Sequence, residues 1–280
     1  MMILLMVITL YPFLNTLAIS FNEGTDTTRG GIFLWPRAFT LQNYKEAFAT
    51  GTIKHAFLIS VARTVLSTVF NVFLTSMLAY TLSRREYIFR KLITTAFVLT
   101  MYFHAGLIPH FFLIKNLGLY KNFLVYILPT LISAFNLIVV RTYIRTIPES
   151  MIESAKMDGA GEFRIFIQLI FPLCRPVLAT IALFVAVTSW NTWFDTFLYC
   201  SSEPNLSTLQ FELKRVLAQT FQSASTRISG VNAEEMANIM PTPKSMQAAI
   251  TIITAVPILF VYPFLQKHFV VGLNVGSVKE

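Results

Sequence analysis

The order of apolar and polar positions along the chain predicts its architecture. Six apolar stretches lie near residues 1–20, 56–82, 92–114, 123–144, 176–200 and 246–268. Each is long enough to cross a bilayer, which takes about 20 helical residues. Helices are expected, because an open strand leaves its backbone unpaired in hydrocarbon. The prediction is an all-α, polytopic membrane protein in which residues 1–280 form a single transmembrane domain. Pro12, Pro109, Pro129, Pro257 and Pro263 fall inside the spans, where neighbouring helices compensate for a lost N–H.

The polar segments set the orientation. The short stretch Ser83–Lys91 holds Arg84, Arg85, Arg90 and Lys91 and is expected in the cytoplasm. Six spans then place both termini and the loop 145–175 in the cytoplasm, with 21–55, 115–122 and 201–245 outside. In the long outer loop 201–245, Leu209, Leu213, Val216 and Leu217 recur at helical spacing, which predicts an amphipathic surface helix. Asn232 is placed to cap a second short helix carrying Glu234 and Glu235, and Pro241-Thr242-Pro243 stiffens the entry to the last span. Residues 1–20 lack both the basic leader and the small-residue cleavage site of a signal peptide, so they are read as a retained helix.

Composition agrees with this picture. The chain is 55% hydrophobic and 13% charged, too apolar for the wet surface of a soluble domain of 280 residues. Its net charge of +8 is scattered between apolar runs, so nucleic acid is not the expected partner; membrane lipid is. Cys174 and Cys200 stand near opposite ends of one span and are expected to be free thiols.

The cytoplasmic loop after the fourth span carries the densest local signals. Pro148 suits a helix's first turn, and Glu149 complements its dipole. Gly159 and Gly161 are expected to break that helix in left-handed geometry. A second short helix from about Glu162 to Ile170 is expected to close at Pro172. Two short helices joined by glycines make a rigid surface element, on which Glu153 and Asp158 can pair with basic groups of another protein.

The pattern Glu153-Ser154-Ala155, Gly159, then Leu169-x-Phe171-Pro172 resembles the "EAA" loop of ABC-importer permeases. The run from Ile147-Pro148 through Asp158-Gly159-Ala160 resembles the carbohydrate branch. Ser154, Leu169 and Phe171 replace the more usual Ala, Ile and Leu. Ala79–Arg84, Gly106-Leu-Ile-Pro109, Trp190-Asn191 and Gly276-Ser-Val-Lys279 are similar to the subfamily that imports complex saccharides such as alginate or pectin fragments, apart from Glu280 where Gly is usual.

The resemblance implies a type I ABC-importer permease bundle in the bacterial inner membrane. Its first loop helix is then the coupling helix, with Glu149, Glu153, Ala155, Asp158, Gly159, Ala160, Gly161 and Pro172 as the ATPase-coupling residues. The implied partners are a second permease subunit, an ATPase dimer and an extracytoplasmic solute-binding protein. The binding protein is expected to dock on the loops 21–55 and 201–245. No P-loop is present, so no cofactor is expected in this chain; ATP and Mg belong to the partner ATPase. With no nucleophile–base constellation, a catalytic role is not expected.

Three further features carry chemistry. Trp190, Asn191, Trp193, Phe194 and Asp195 combine aromatic faces for sugar C–H groups with polar groups for hydroxyls. On a continuous helix Trp190, Trp193, Phe194 and Phe197 share one face and Asn191 and Asp195 another. They are read as a substrate pathway, with an interfacial aromatic belt as the other reading. Arg63, near the outer end of the second span, is expected to snorkel to the interface; a partner inside the bundle is the alternative. His104 and His110 are six apart, not the i, i+4 spacing of a metal pair on one helical face. The competing functional class is an ion-coupled secondary transporter, which usually shows inverted repeats and midplane acidic groups.

Overall fold

The computed structural model describes residues 1–49, 51–103, 105–228 and 242–277, with side chains except at 3, 219–228 and 261–277. Among the described residues the elements are helical, with one isolated antiparallel bridge between Asn22 and Phe39. In chain order they are α1 (Met2–Ser20), α2 (Gly24–Thr28), α3 (Gln42–Ala49), α4 (Thr52–Ser83), α5 (Arg90–Tyr102), α6 (Leu107–Asn116) and α7 (Ala134–Ile144). Then follow α8 (Glu149–Met157), α9 (Glu162–Ile165), α10 (Phe171–Leu173), α11 (Arg175–Asn191), α12 (Phe194–Tyr199), α13 (Leu209–Ile228) and α14 (Pro243–Ser277). Two compact units result, Met1–Ser60 with Cys200–Phe260, and Val61–Tyr199 with Val261–Glu280.

Two described helices are individually long and apolar enough to cross a membrane, α4 and the Pro243–Phe260 part of α14; bent pairs raise this to four. The expected continuous spans are interrupted where local chemistry defeats periodicity. The stretch 92–114 splits into α5 and α6, with Phe103 extended and Gly106 at φ 85°, a backbone angle that favours glycine. Pro109 falls in the first turn of α6, where a missing N–H costs nothing. The stretch 123–144 opens as two 3₁₀ turns, Phe123–Tyr126 and Leu128–Thr130, and bends by 48° into α7.

A bent span frees carbonyls that lipid cannot satisfy, and α4 supplies the donors. Ser67 Oγ donates to Tyr126 O at 3.2 Å and Asn71 Nδ2 to Thr130 O at 2.8 Å. Arg63, Ser67, Asn71 and Thr75 form a buried polar stripe at i, i+4 spacing. The apolar core of this unit joins Ala79 and Leu82 of α4, Leu137 and Val140 of α7, Ile152 of α8, and Ile165, Phe166 and Ile170.

In the other unit, Asn43 donates to the Ser20 and Asn22 carbonyls (3.0 and 2.8 Å). Asn22 donates to Asp26 at 3.0 Å, and Arg37 Nε reaches the same carboxylate at 3.1 Å. Much of the stretch 21–55 is thus a knit polar structure. Helix α13 carries the predicted apolar spacing, with Leu209 buried. The expected helix at Asn232, Glu234 and Glu235 lies outside the described residues, as does Pro241; so do His104 and Glu280.

Candidate functional site

Helix α8 begins one residue later than expected, with Pro148 as the cap residue just outside it. Glu149 lies in the first turn and Lys156 in the last, the charge order that complements the helix dipole. The helix stops at a paired C-terminal cap: Gly159 N donates to Lys156 O at 2.9 Å and Ala160 N to Ala155 O at 3.0 Å. Gly159 adopts φ 78° to make this turn. Gly161 does not share that role. It is extended (φ −70°, ψ 158°) and serves as the N-cap of α9.

Pro172 does not end the second helix. The chain widens to π geometry over Phe166–Ile170 and continues helically through Phe171–Leu173. Proline has no N–H for the carbonyl four residues back, and a π turn already shifts that bonding register. The turn comes at Cys174, where the path bends by 80° into α11.

The inner face of α8 is anchored and its outer face is free. Ile152 is buried in the core, with Ala155 and Ala160 packed against it. Glu153 and Asp158 are exposed and make no ion pair among the described residues, and Met157 is 88% exposed. Beside them runs an open cleft of about 630 Å³, walled by Ser150, Ser154, Asp158, Arg164 and Gln168. Glu149 is not free, since Arg85 reaches it at 3.7 Å.

Two residues that the motif did not single out tie this element to α4. Lys156 Nζ lies 2.8 Å from Glu162 and 3.1 Å from Glu86. Tyr80 OH donates to the other oxygen of Glu162 at 2.5 Å. These bonds, to Glu162 first and then Glu86, hold the Lys156 ammonium above its ordinary pKa. Partial burial pushes the Glu162 carboxyl up, but the bonds from Lys156 and Tyr80 outweigh it, leaving the group below its ordinary value. The sequence signal was thin: one lysine and one glutamate on either side of a glycine turn.

A second cluster surrounds Arg63, which does not snorkel. Its side chain is 4% exposed and pairs with Asp195 through both terminal nitrogens, one of them at 3.2 Å from Oδ1. It also donates to Thr192 O at 2.9 Å and lies over the Tyr126 ring at 4.8 Å. A partner inside the bundle is favoured because α11 ends at Asn191 and Thr192 is extended, which leaves a carbonyl to be filled.

That break also overturns the expected shared helical faces of residues 190–197. Trp190 is buried before the break, and Trp193, Phe194 and Phe197 cluster after it, with ring centroids 5.8–6.2 Å apart. Asn191 is exposed and donates to Val187 O at 2.9 Å. Asp195 belongs to the ion pair and also accepts from Thr196 N. His110 bonds Tyr199 OH at 2.9 Å. Cys174 and Cys200 are not joined in a disulfide, and both are buried.

A helical bundle with a surface-presented loop of this form is similar to a solved transporter. The crystal structure of a bacterial ABC transporter involved in the import of the acidic polysaccharide alginate matches with a TM-score of 0.84 and 27% identity, over 95% of this chain and 92% of that one. Residues 57–275 match the family described as binding-protein-dependent transport system inner membrane component, and the chain belongs to that family. It is 38% identical over 268 residues to the polygalacturonan/rhamnogalacturonan transport system permease protein YtcP of Bacillus subtilis (strain 168), covering 96% of this chain and 92% of the relative. It is 36% identical to Protein LplC of the same organism, over 97% and 90%.

Proposed function

We propose that this chain is a permease subunit of an ATP-driven, binding-protein-dependent importer of oligosaccharides, and that α8 is the helix through which a partner ATPase drives it. The observation that carries the reading is the two-sided character of α8. Its inner face, through Ile152, joins the apolar core that also holds Leu82, Val140 and Ile144 from the last turns of α4 and α7. Its outer face offers the exposed carboxylates Glu153 and Asp158, which make no ion pair among the described residues, and the exposed Met157 beside an open cleft. Ala155, Gly159, Ala160, Gly161 and Pro172 shape this element, and Glu149 steadies its start.

In this reading the chain crosses the inner membrane six times with both termini in the cytoplasm. It pairs with a second permease, an ATPase dimer that binds ATP and Mg, and an extracytoplasmic binding protein that delivers the saccharide. Closure of the ATPase dimer moves α8, and with it the ends of α4 and α7, so that access alternates between the two sides. Two similar proteins, one named for polygalacturonan/rhamnogalacturonan and one for the polysaccharide alginate, support an oligosaccharide cargo. Asn191, Trp193 and Phe194 at the break after α11 are the candidate wall of the pathway, with Trp190 and Asp195 holding it in place. Family membership speaks against the ion-coupled alternative.

The test is uptake by the assembled transporter in proteoliposomes, with Glu153→Lys and Gly159→Val in this chain. The expected result is a drop in uptake of at least about tenfold, with weaker retention of the ATPase. Undiminished uptake by both variants overturns the coupling assignment.

A further inference from the structure

We propose that a basic cleft between the α4–α5 turn and the end of α7 binds the phosphate headgroup of an anionic membrane lipid. The cleft has a volume of about 630 Å³ and is lined by Arg84, Arg85, Arg90, Lys91, Arg141 and Arg145, with Glu149 the carboxylate on its wall. Two of these cations are already balanced: Arg85 lies 3.7 Å from Glu149, and Arg84 lies 3.6 Å from Glu86. Arg90, Lys91, Arg141 and Arg145 make no ion pair among the described residues. Arg141 donates its Nε to Leu82 O at 2.9 Å, capping the end of α4 and fixing its guanidinium in the cleft.

The helix geometry sharpens the demand for an anion. Arg90 and Lys91 open α5, whose first turn has no acidic residue and whose start has no side-chain cap. Cations at a helix N-terminus oppose its dipole; Arg90 N already donates to Tyr87 O at 3.2 Å, but the next first-turn N–H groups lack partners within the helix. An anion in the cleft relieves both, and phosphate suits the planar guanidinium fork.

The surroundings favour a lipid over a solute as the source. Ile88, Phe89 and Leu92 adjoin these cations in sequence and are 87%, 57% and 68% exposed. The chain belongs to an inner-membrane family, so such apolar groups beside cations belong where acyl chains meet headgroups. Glu149 and Ile152 of α8 form the cleft's edge, so occupancy bears on α8 as well. Only that last consequence rests on the proposed coupling role.

The assembled transporter, purified in detergent, is titrated with phosphatidylglycerol, cardiolipin, phosphatidylcholine or inorganic phosphate, and bound species are counted by native mass spectrometry. Phosphatidylglycerol and cardiolipin are expected to be retained in preference to phosphatidylcholine. Arg90 is half-buried and Arg145 exposed, so the double variant R90Q/R145Q is expected to keep its melting temperature. It is expected to weaken retention of the anionic lipids on the order of tenfold. The charge-keeping R90K/R145K is expected to retain them.

Unchanged retention by R90Q/R145Q overturns the site. Displacement of lipid by equimolar inorganic phosphate assigns the cleft to a solute and overturns it too. Loss of the ATPase with lipid retained makes the cleft a protein dock, again against the proposal. If R90Q/R145Q loses the lipid while uptake is unchanged, the lipid site stands and its link to coupling falls.

Discussion

Two charged clusters lie along α4, one at Arg63 and the other at Tyr80, and they are built on different terms. The cluster at Tyr80 is wet: the Glu86 and Glu162 side chains that flank Lys156 are 69% and 52% exposed. Exposed pairs contribute about 0–1 kcal/mol each, so this cluster orients α8 and α9 more than it stabilises them. The cluster at Arg63 is dry. Arg63 is 4% exposed and Asp195 20%, so the pair has left most of its water; its net contribution is small, but removing either one strands the other. The same chemistry, a cation against a carboxylate, therefore makes an adjustable tie at one end and an all-or-none clasp at the other.

The sharpest way to break this contrast is Asp195→Ala. It leaves Arg63 buried without its carboxylate and is expected to destabilise the protein by about 3–5 kcal/mol. The measurement is thermal unfolding of the detergent-solubilised transporter, and a loss below about 1 kcal/mol removes the distinction between the clusters. The double replacement R63M/D195L is expected to recover much of that loss, because no charge is then stranded.

Next comes Ile152→Ala, which opens a cavity under α8 and is expected to cost about 2–4 kcal/mol. It should lower uptake more than ATP hydrolysis; an equal fall in both would mean α8 does not transmit the push. Gly159→Ala forces a side chain into left-handed backbone geometry and should cost about 1–2 kcal/mol by the same unfolding assay.

Lys156→Met should be the mildest, at about 1 kcal/mol or less. Its pH dependence has a definite shape. Glu162 is held below its ordinary value of 4.5, so its contribution is full above that pH and fades as pH falls through the lowered value. Lys156 is held above 10.5, so its contribution is full below that pH and fades as pH rises through the raised value. The stability gap between the wild type and Lys156→Met should therefore be flat between these limits and shrink outside them, in melting curves taken across pH. A gap that changes steadily through neutral pH argues that another group governs the cluster.

Helix α8 was readable from the chain because its start and stop signals are local: Pro148 and Glu149 at one end, Gly159 at the other. What followed was less readable, since Gly161 and Pro172 were assigned by residue type while their roles depend on neighbouring turns. A cap makes Gly161 extended, and a π turn lets the helix run past Pro172. Each of the six apolar stretches contains a helix, yet periodicity averages over many residues and misses a single extended one. Phe103 and Thr192 are such residues. The pairing of Arg63 with Asp195 joins positions 132 apart, and nothing local announces it. Its trace in the sequence is the polar spacing Arg63, Ser67, Asn71 and Thr75 along an otherwise apolar helix.

Helix α4 also sets a scale of leverage. Arg63 and Tyr80 ride on one rigid rod, roughly 25 Å apart at 1.5 Å of rise per residue. A tilt of about 5° pivoting at Tyr80 carries Arg63 sideways by about 2 Å over that distance. The 2.9 Å bond from Arg63 to Thr192 tolerates only a few tenths of an ångström. A rotation too small to disturb the packing around Ile152 is thus magnified, by length alone, into a displacement that the far clasp must either resist or release.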